Sequence, residues 1–170
     1  MLVYFLRHGD ASSHSRFHDI ERPLTDLGQK QAAYIGKFLL HTKTHINIIL
    51  SSPLTRACET GAIVQSLINA PRMETTEYLV NGTHPKQLFK QITEFDVESV
   101  LLVGHEPFLS ETISLLIGGD QKTDIEIKKC SLALVEVLEP LRPGTGTLKQ
   151  LIHVETISKF IEPSIENERR

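Results

Sequence analysis

Three short apolar runs, at residues 2–6, 46–50 and 100–103, each break off into a polar cluster, and each cluster leads, directly or after one loop, into a segment of helical periodicity. Continuous apolar runs of this length read as strands buried on both faces. Strands that alternate with helices require crossover connections, which place the strands parallel and a layer of helices on each face of the sheet. The expectation is therefore a single α/β domain: a three-layer α/β/α sandwich around a mainly parallel central sheet. In such a sheet the C-terminal strand ends share one edge. The clusters Arg7-His8-Gly9, Ser51-Ser52-Pro53-Leu54-Thr55-Arg56 and Gly104-His105-Glu106-Pro107 can then converge.

The remaining segments fit between these strands. Residues 11–22 are polar and aperiodic and read as a loop, followed by a helix with Thr25 as N-cap and Gln31, Ala32, Ile35, Phe38 and Leu39 at helical spacing. Pro53 marks the start of a helix over 54–67, which Asn69-Ala70-Pro71 ends. An edge strand is predicted over 73–78, a turn at Asn81-Gly82, a helix over 85–92, and another from Pro107 to about residue 117. Two β-like runs, 131–138 and 148–154, are separated by Pro140, Pro143, Gly144 and Gly146 and suggest a hairpin or edge pair. Residues 1–160 are assigned to the domain, and the charged residues 161–170 to a loosely ordered tail.

Composition excludes several classes of function. With a formal net charge of −3 the chain has no basic excess to hold a nucleic-acid backbone. No apolar stretch approaches the length of a membrane span. The run at 2–6 lacks the basic segment of a signal peptide, and Cys58 and Cys130 lack C-x-x-C spacing, so a cytoplasmic protein with two small structural cysteines is expected. His14 and His18 stand four apart in a stretch that does not look helical, and His41, His45, His84 and His153 have no ligand-like spacing. Neither a metal nor another cofactor is expected.

The chemistry falls to the strand ends. Convergence would gather Arg7, His8, Arg56 and His105 around one small pocket. Two guanidinium groups suit a phosphoryl group because each is permanently charged and offers planar, bidentate donors. A neutral imidazole at His8 can attack phosphorus, giving a phosphohistidine that water hydrolyses. That requires one ring nitrogen free and the other donating, as to a backbone carbonyl. Gly9, lacking Cβ, would let the backbone turn close to the phosphate. Arg7, Arg56 and His105 would stabilise the equatorial oxygens during in-line transfer.

These residues resemble the histidine phosphatase (phosphoglycerate-mutase-like) superfamily. The likeness rests on Leu6-Arg7-His8-Gly9-Asp10-Ala11, on Ser51-Ser52-Pro53-Leu54-Thr55-Arg56-Ala57 with Glu59-Thr60, and on Val103-Gly104-His105-Glu106-Pro107. It covers residues 1 to about 117; the C-terminal third carries no closely matching motif. Within the superfamily the chain is most similar to SixA-type phosphohistidine phosphatases, through its shortness, Arg-His-Gly-Asp-Ala, and the block Arg22-Pro23-Leu24-Thr25 followed by Gly28 and Ala32. The resemblance implies a phosphoglycerate-mutase-like fold and Arg22 as a further phosphate clamp. It also implies, as partner, a protein bearing phosphohistidine, such as a phosphorelay or phosphotransferase component.

Larger mutase-like members carry a general-acid glutamate after the second helix, where this chain reads Asn81-Gly82. An alkoxide leaving group needs such an acid, which contributes roughly 10²–10⁴-fold. Imidazole leaving from phosphohistidine does not, once its distal nitrogen is protonated. The expected activity is therefore a metal-independent phosphohistidine phosphatase working through a phospho-His8 intermediate. Glu77 and Glu106 are the candidates should an acid exist. The alternatives are a phosphatase on a small phosphate ester and, in a different class, a non-catalytic module that binds phosphoproteins.

Overall fold

The computed structural model describes residues 1–13 and 15–167, with side chains through Ile161. His14 and residues 168–170 lie outside the described residues. Six strands form one sheet in the order β3-β2-β4-β1-β5-β6. They are β1 (Leu2–Arg7), β2 (Ile48–Ser51), β3 (Met73–Thr75), β4 (Ser99–Gly104), β5 (Leu132–Val137) and β6 (Gly146–Ile152). The first four pair in parallel, while β5 runs antiparallel to β1 and β6 antiparallel to β5. The sheet is thus mixed, with a parallel half that holds the three strands read from sequence and an antiparallel half formed by the C-terminal hairpin.

Five helices cover it: α1 (Asp26–His41), α2 (Thr55–Ile68), α3 (Pro85–Glu94), α4 (Phe108–Gly118) and α5 (Val154–Asn167). Alternate strand residues serve opposite faces, which is why the runs are continuously apolar. Val3, Phe5, Leu50, Val100 and Leu102 pack with Leu88 and Ile92 of α3 and Phe108 and Ile113 of α4. Tyr4, Leu6, Ile49, Leu101 and Val103 pack with Ile35 and Leu39 of α1, Val64 of α2 and Ile157 of α5. Both halves of this core are closed to solvent, and no helix among the described residues is long and apolar enough to cross a membrane.

Local chemistry sets the boundaries. The Thr25 hydroxyl accepts from the amide of Gly28 and caps α1 as expected. Asn69 ends α2 in the left-handed conformation, φ 52°. The edge strand expected over 73–78 is shorter than read: it stops at Thr75, and Glu77–Leu79 turns into a 3₁₀ helix. The segment assigned to a loosely ordered tail from residue 161 is helical as far as Asn167. The sequence reading missed α5, extending the β-like run to residue 154, although Val154, Ile157 and Ile161 recur at helical spacing and are buried.

Candidate active site

Strand order brings the three clusters together. β2, β4 and β1 are consecutive in the sheet, with Arg7 opposite Gly104 and Ser51 opposite Val103. Ser52, His8 and His105 are therefore the first residues beyond three adjacent strand ends. The chain leaves β1 toward the face of α1 and leaves β4 toward the face of α4, so the loops after these neighbours diverge. A divergence of this kind opens a crevice at the C-terminal edge of an α/β sheet, where such folds place their ligands.

His8 and His105 lie next to each other at this edge, ring centroids 5.0 Å apart and planes tilted by 56°. The Nδ1 of His8 lies 2.7 Å from the carbonyl of Gly9, and the Nε of Arg56 donates to His8 Nε2 at 3.2 Å. A carbonyl can only accept, so Nδ1 carries the proton and Nε2 presents its lone pair. Burial, reinforced by the charges of Arg56, Arg7 and Lys129, pushes the His8 pKa down to about 4 against the pull of the Gly9 hydrogen bond. His105 is pushed down to about 3, by burial first and then by His8 and Arg56. Both rings are neutral near pH 7.

The two arginines are held differently. Arg7 donates from Nη1 to the carbonyl of Ile127 at 2.8 Å. Arg56 donates from Nη1 to the carbonyl of Asp19 at 2.6 Å and from Nη2 to the Asp19 carboxylate at 3.3 Å. Among the described residues, the buried side-chain nitrogens and oxygens without a hydrogen-bond partner are Arg7 Nε and His105 Nδ1. Both belong to this crevice.

Arg22 lies at the rim. Its Nε donates to the carbonyl of Ser12 at 2.6 Å and its Nη1 to Asp19 at 3.0 Å, so the Asp19 carboxylate bridges Arg22 and Arg56. Burial alone would raise the pKa of Asp19, but Arg22 and Arg56 outweigh it and lower it. Gly9 has its amide on the Thr60 hydroxyl, 3.2 Å away, and a Cβ there would come within 2.7 Å of the Gly28 carbonyl. The close approach that requires glycine is thus to the first turn of α1. Glu77 is exposed on the 3₁₀ helix. Glu106 is half-buried beside the crevice, its pKa raised by burial, with an oxygen on the amide of Ser110 at 3.2 Å. Asn81 donates to the backbone carbonyl of Glu106 at 2.9 Å, which places an amide, not a carboxylate, next to the residue that follows His105.

Several residues of the site carried no role in the sequence reading. The hydroxyl of Ser52 is 2.8 Å from His105 Nε2. Thr60 joins two motifs, accepting from Gly9 and donating to the carbonyl of Arg56 at 2.7 Å. Lys129 reaches in from the C-terminal third to the Asp10 carboxylate, 2.6 Å away, and this bond holds the carboxyl below its usual range. Thr25 binds the other oxygen of Asp10 at 2.7 Å. Ser52 and Thr60 stood within the quoted motifs; nothing near Lys129 in the sequence marked it.

Two neutral histidines and two arginines thus stand together at the C-terminal edge of the parallel strands, a set of donors suited to an oxyanion. Residues 3–81 match the family model described as histidine phosphatase superfamily (branch 1). Phosphohistidine phosphatase SixA of Escherichia coli K12 is 29% identical over 126 residues, covering 71% of this chain and 76% of that protein. A structure of the protein histidine phosphatase SixA complexed with tungstate superposes with a TM-score of 0.82 at 27% identity, over 92% of this chain and 99% of that one. The alpha-ribazole phosphatase of Shigella flexneri shares the fold, with a TM-score of 0.74 at 17% identity over 91% and 97% of the two chains. The chain is thus similar to the histidine phosphatase superfamily over residues 3–81 and to SixA over most of its fold.

Proposed function

We propose that this protein is a metal-independent phosphohistidine phosphatase whose substrate is a phosphorylated histidine of another protein, such as a phosphorelay or phosphotransferase component. The observation that carries phosphate binding is the pair of orphaned buried nitrogens, Arg7 Nε and His105 Nδ1. An unpartnered buried polar group costs about 1–3 kcal/mol, and an oxyanion seated between them would relieve that cost. The tungstate bound by the similar SixA structure is such an oxyanion.

In the first step the lone pair on His8 Nε2 attacks phosphorus. A P–N bond to His8 forms as the P–N bond to the substrate imidazole breaks. The leaving ring keeps the electron pair and, protonated beforehand on its other nitrogen, departs neutral. Water then attacks phosphorus, and cleavage of the P–Nε2 bond restores His8 and releases phosphate. Arg7, Arg56 and His105 donate to the equatorial oxygens throughout, and Arg22 reaches the same phosphate from the rim. Gly9 aligns the nucleophile through its carbonyl on Nδ1.

The preference for a P–N bond follows from the amide of Asn81 in the segment where a carboxylic acid would serve an alkoxide. One observation favours an ester substrate instead: Glu106 is half-buried with a raised pKa, the state a general acid needs. Rapid acid-free quenching during turnover of a ³²P-labelled phosphohistidine substrate is the test. Label retained on His8, stable in base and lost in acid, is expected, and Glu106→Gln should leave its formation rate unchanged. No label on His8 would contradict the mechanism. A Glu106→Gln loss of roughly 10²-fold or more would point to ester hydrolysis.

A further inference from the structure

His105 is neutral near pH 7 and so carries one ring proton, whose position decides what the ring can do for a bound anion. A proton on Nδ1 makes the orphaned nitrogen a donor; a proton on Nε2 turns a lone pair toward the ligand.

The surroundings of Ser52 distinguish the two. Ser52 and His105 are both buried, at 0% and 4% exposure. The Ser52 backbone is pinned: its amide donates to Val103 at 2.9 Å, and its carbonyl accepts from the Ser51 hydroxyl at 2.9 Å and the Cys58 thiol at 3.2 Å. On the side chain, the amide of Leu54 donates to Oγ at 3.5 Å, and the other contact of Oγ is His105 Nε2 at 2.8 Å. Among the described residues the hydroxyl proton thus has one acceptor, Nε2. Were Nε2 the donor instead, the serine proton would be buried without an acceptor, and Nδ1 would be an unpaired acceptor beside two guanidinium groups. With Ser52 donating, the only group of the Ser52–His105 pair left unsatisfied among the described residues is the Nδ1–H, which an incoming oxyanion satisfies.

We propose that Ser52 is a positioning residue that fixes the tautomer of His105: its hydroxyl donates to Nε2, so the ring proton resides on Nδ1 as a donor for a phosphoryl oxygen. The inference deepens the phosphatase reading and rests on it for the identity of the ligand. It also gives the Ser-Ser-Pro cluster a chemical role, since β2 ends with Ser51 opposite Val103 and the Ser52 amide bonds to Val103, which sets the Ser52 hydroxyl in reach of the His105 ring. The hydroxyl acts through His105 and touches no reacting atom itself.

The test is ¹⁵N NMR of histidine-labelled protein near pH 7 without ligand, with the His105 signals assigned by their absence in His105→Asn. Wild type should show a pyrrole-type Nδ1 and a pyridine-type Nε2. In Ser52→Ala the intrinsic preference of imidazole for the Nε2–H form should emerge, and kcat/KM should fall about 10-fold or more as a donor to the phosphoryl group is lost. A pyridine-type Nδ1 in wild type would overturn the proposal, as would an unchanged tautomer in Ser52→Ala. Since the wild-type spectrum is recorded without substrate, it stands even if Ser52→Ala does not fold. The predicted tautomer in a protein that hydrolyses no phosphate compound would refute the phosphatase reading and leave the tautomer assignment standing.

Discussion

Burying two histidines beside guanidinium groups separates them from ordinary surface histidines, which gain their charge near pH 6.5. With the His8 pKa pushed down to about 4, its Nε2 lone pair stays available well into the acid range. The free-enzyme acid limb, read from kcat/KM after subtraction of uncatalysed hydrolysis, is expected near pH 4; a limb at 6.5 would place His8 in solvent. At this scale the sequence was informative about which residues gather and silent about how they are oriented. His8, Arg7 and His105 were legible because each sits at the end of an apolar run. Ser52, Asp19 and Lys129 act through side-chain contacts to residues 53, 37 and 119 positions away, which no local pattern encodes.

Elements position these side chains, one of them through backbone contact and another by charge. A Cβ on Gly28 would lie 2.0 Å from the carbonyl of Asp10, so the first turn of α1 fits under the His8 loop only as glycine. Gly28→Ala is expected to destabilise the protein by about 1–3 kcal/mol in urea unfolding, with a fall in turnover as the loop shifts. An unchanged midpoint would show that the contact is loose. The loop before α1 acts by charge: Asp19 bridges Arg56 and Arg22, and under the proposed function it would compete with phosphate for both. The arginine side chains are largely buried but the Asp19 carboxylate is half exposed, which keeps the pairing to about 0.2–1 kcal/mol, so Asp19→Asn should lower the phosphate inhibition constant roughly two- to fivefold. A higher constant would mean that Asp19 splints the arginines for the ligand. The apolar runs made the parallel half of the sheet plain from sequence. Helix α5 escaped because its buried stripe of Val154, Ile157 and Ile161 follows a β-like run without a break.

For the whole molecule, the neutral histidines couple the site to stability. The unfolded chain protonates both rings near pH 6.5, whereas the folded chain does so only near 4 for His8 and 3 for His105. Below pH 6.5 the unfolded state binds more protons, so stability is intact above that value and is lost as pH falls toward the folded pKa values. Each ring contributes a slope of about 1.4 kcal/mol per pH unit, and His8→Gln should flatten the dependence measured by urea unfolding. An identical slope in the variant would contradict the burial of a neutral ring. The same topology that buries these rings opens the crevice: β1 and β4 lie side by side while their loops go to opposite faces. Alternation of strands and helices announced this fold, and strand order, which long-range pairing sets, placed the clusters side by side.

The most direct test is phosphate release, with chelator present, from matched phosphohistidine and phosphoserine peptides, comparing wild type with His8→Ala. A phosphohistidine phosphatase with a His8 nucleophile releases phosphate rapidly from phosphohistidine alone and loses that activity in the variant. Equal or faster release from phosphoserine would mean that an acid serves the leaving group, with Glu106 first in line, and would contradict the preference for a P–N bond.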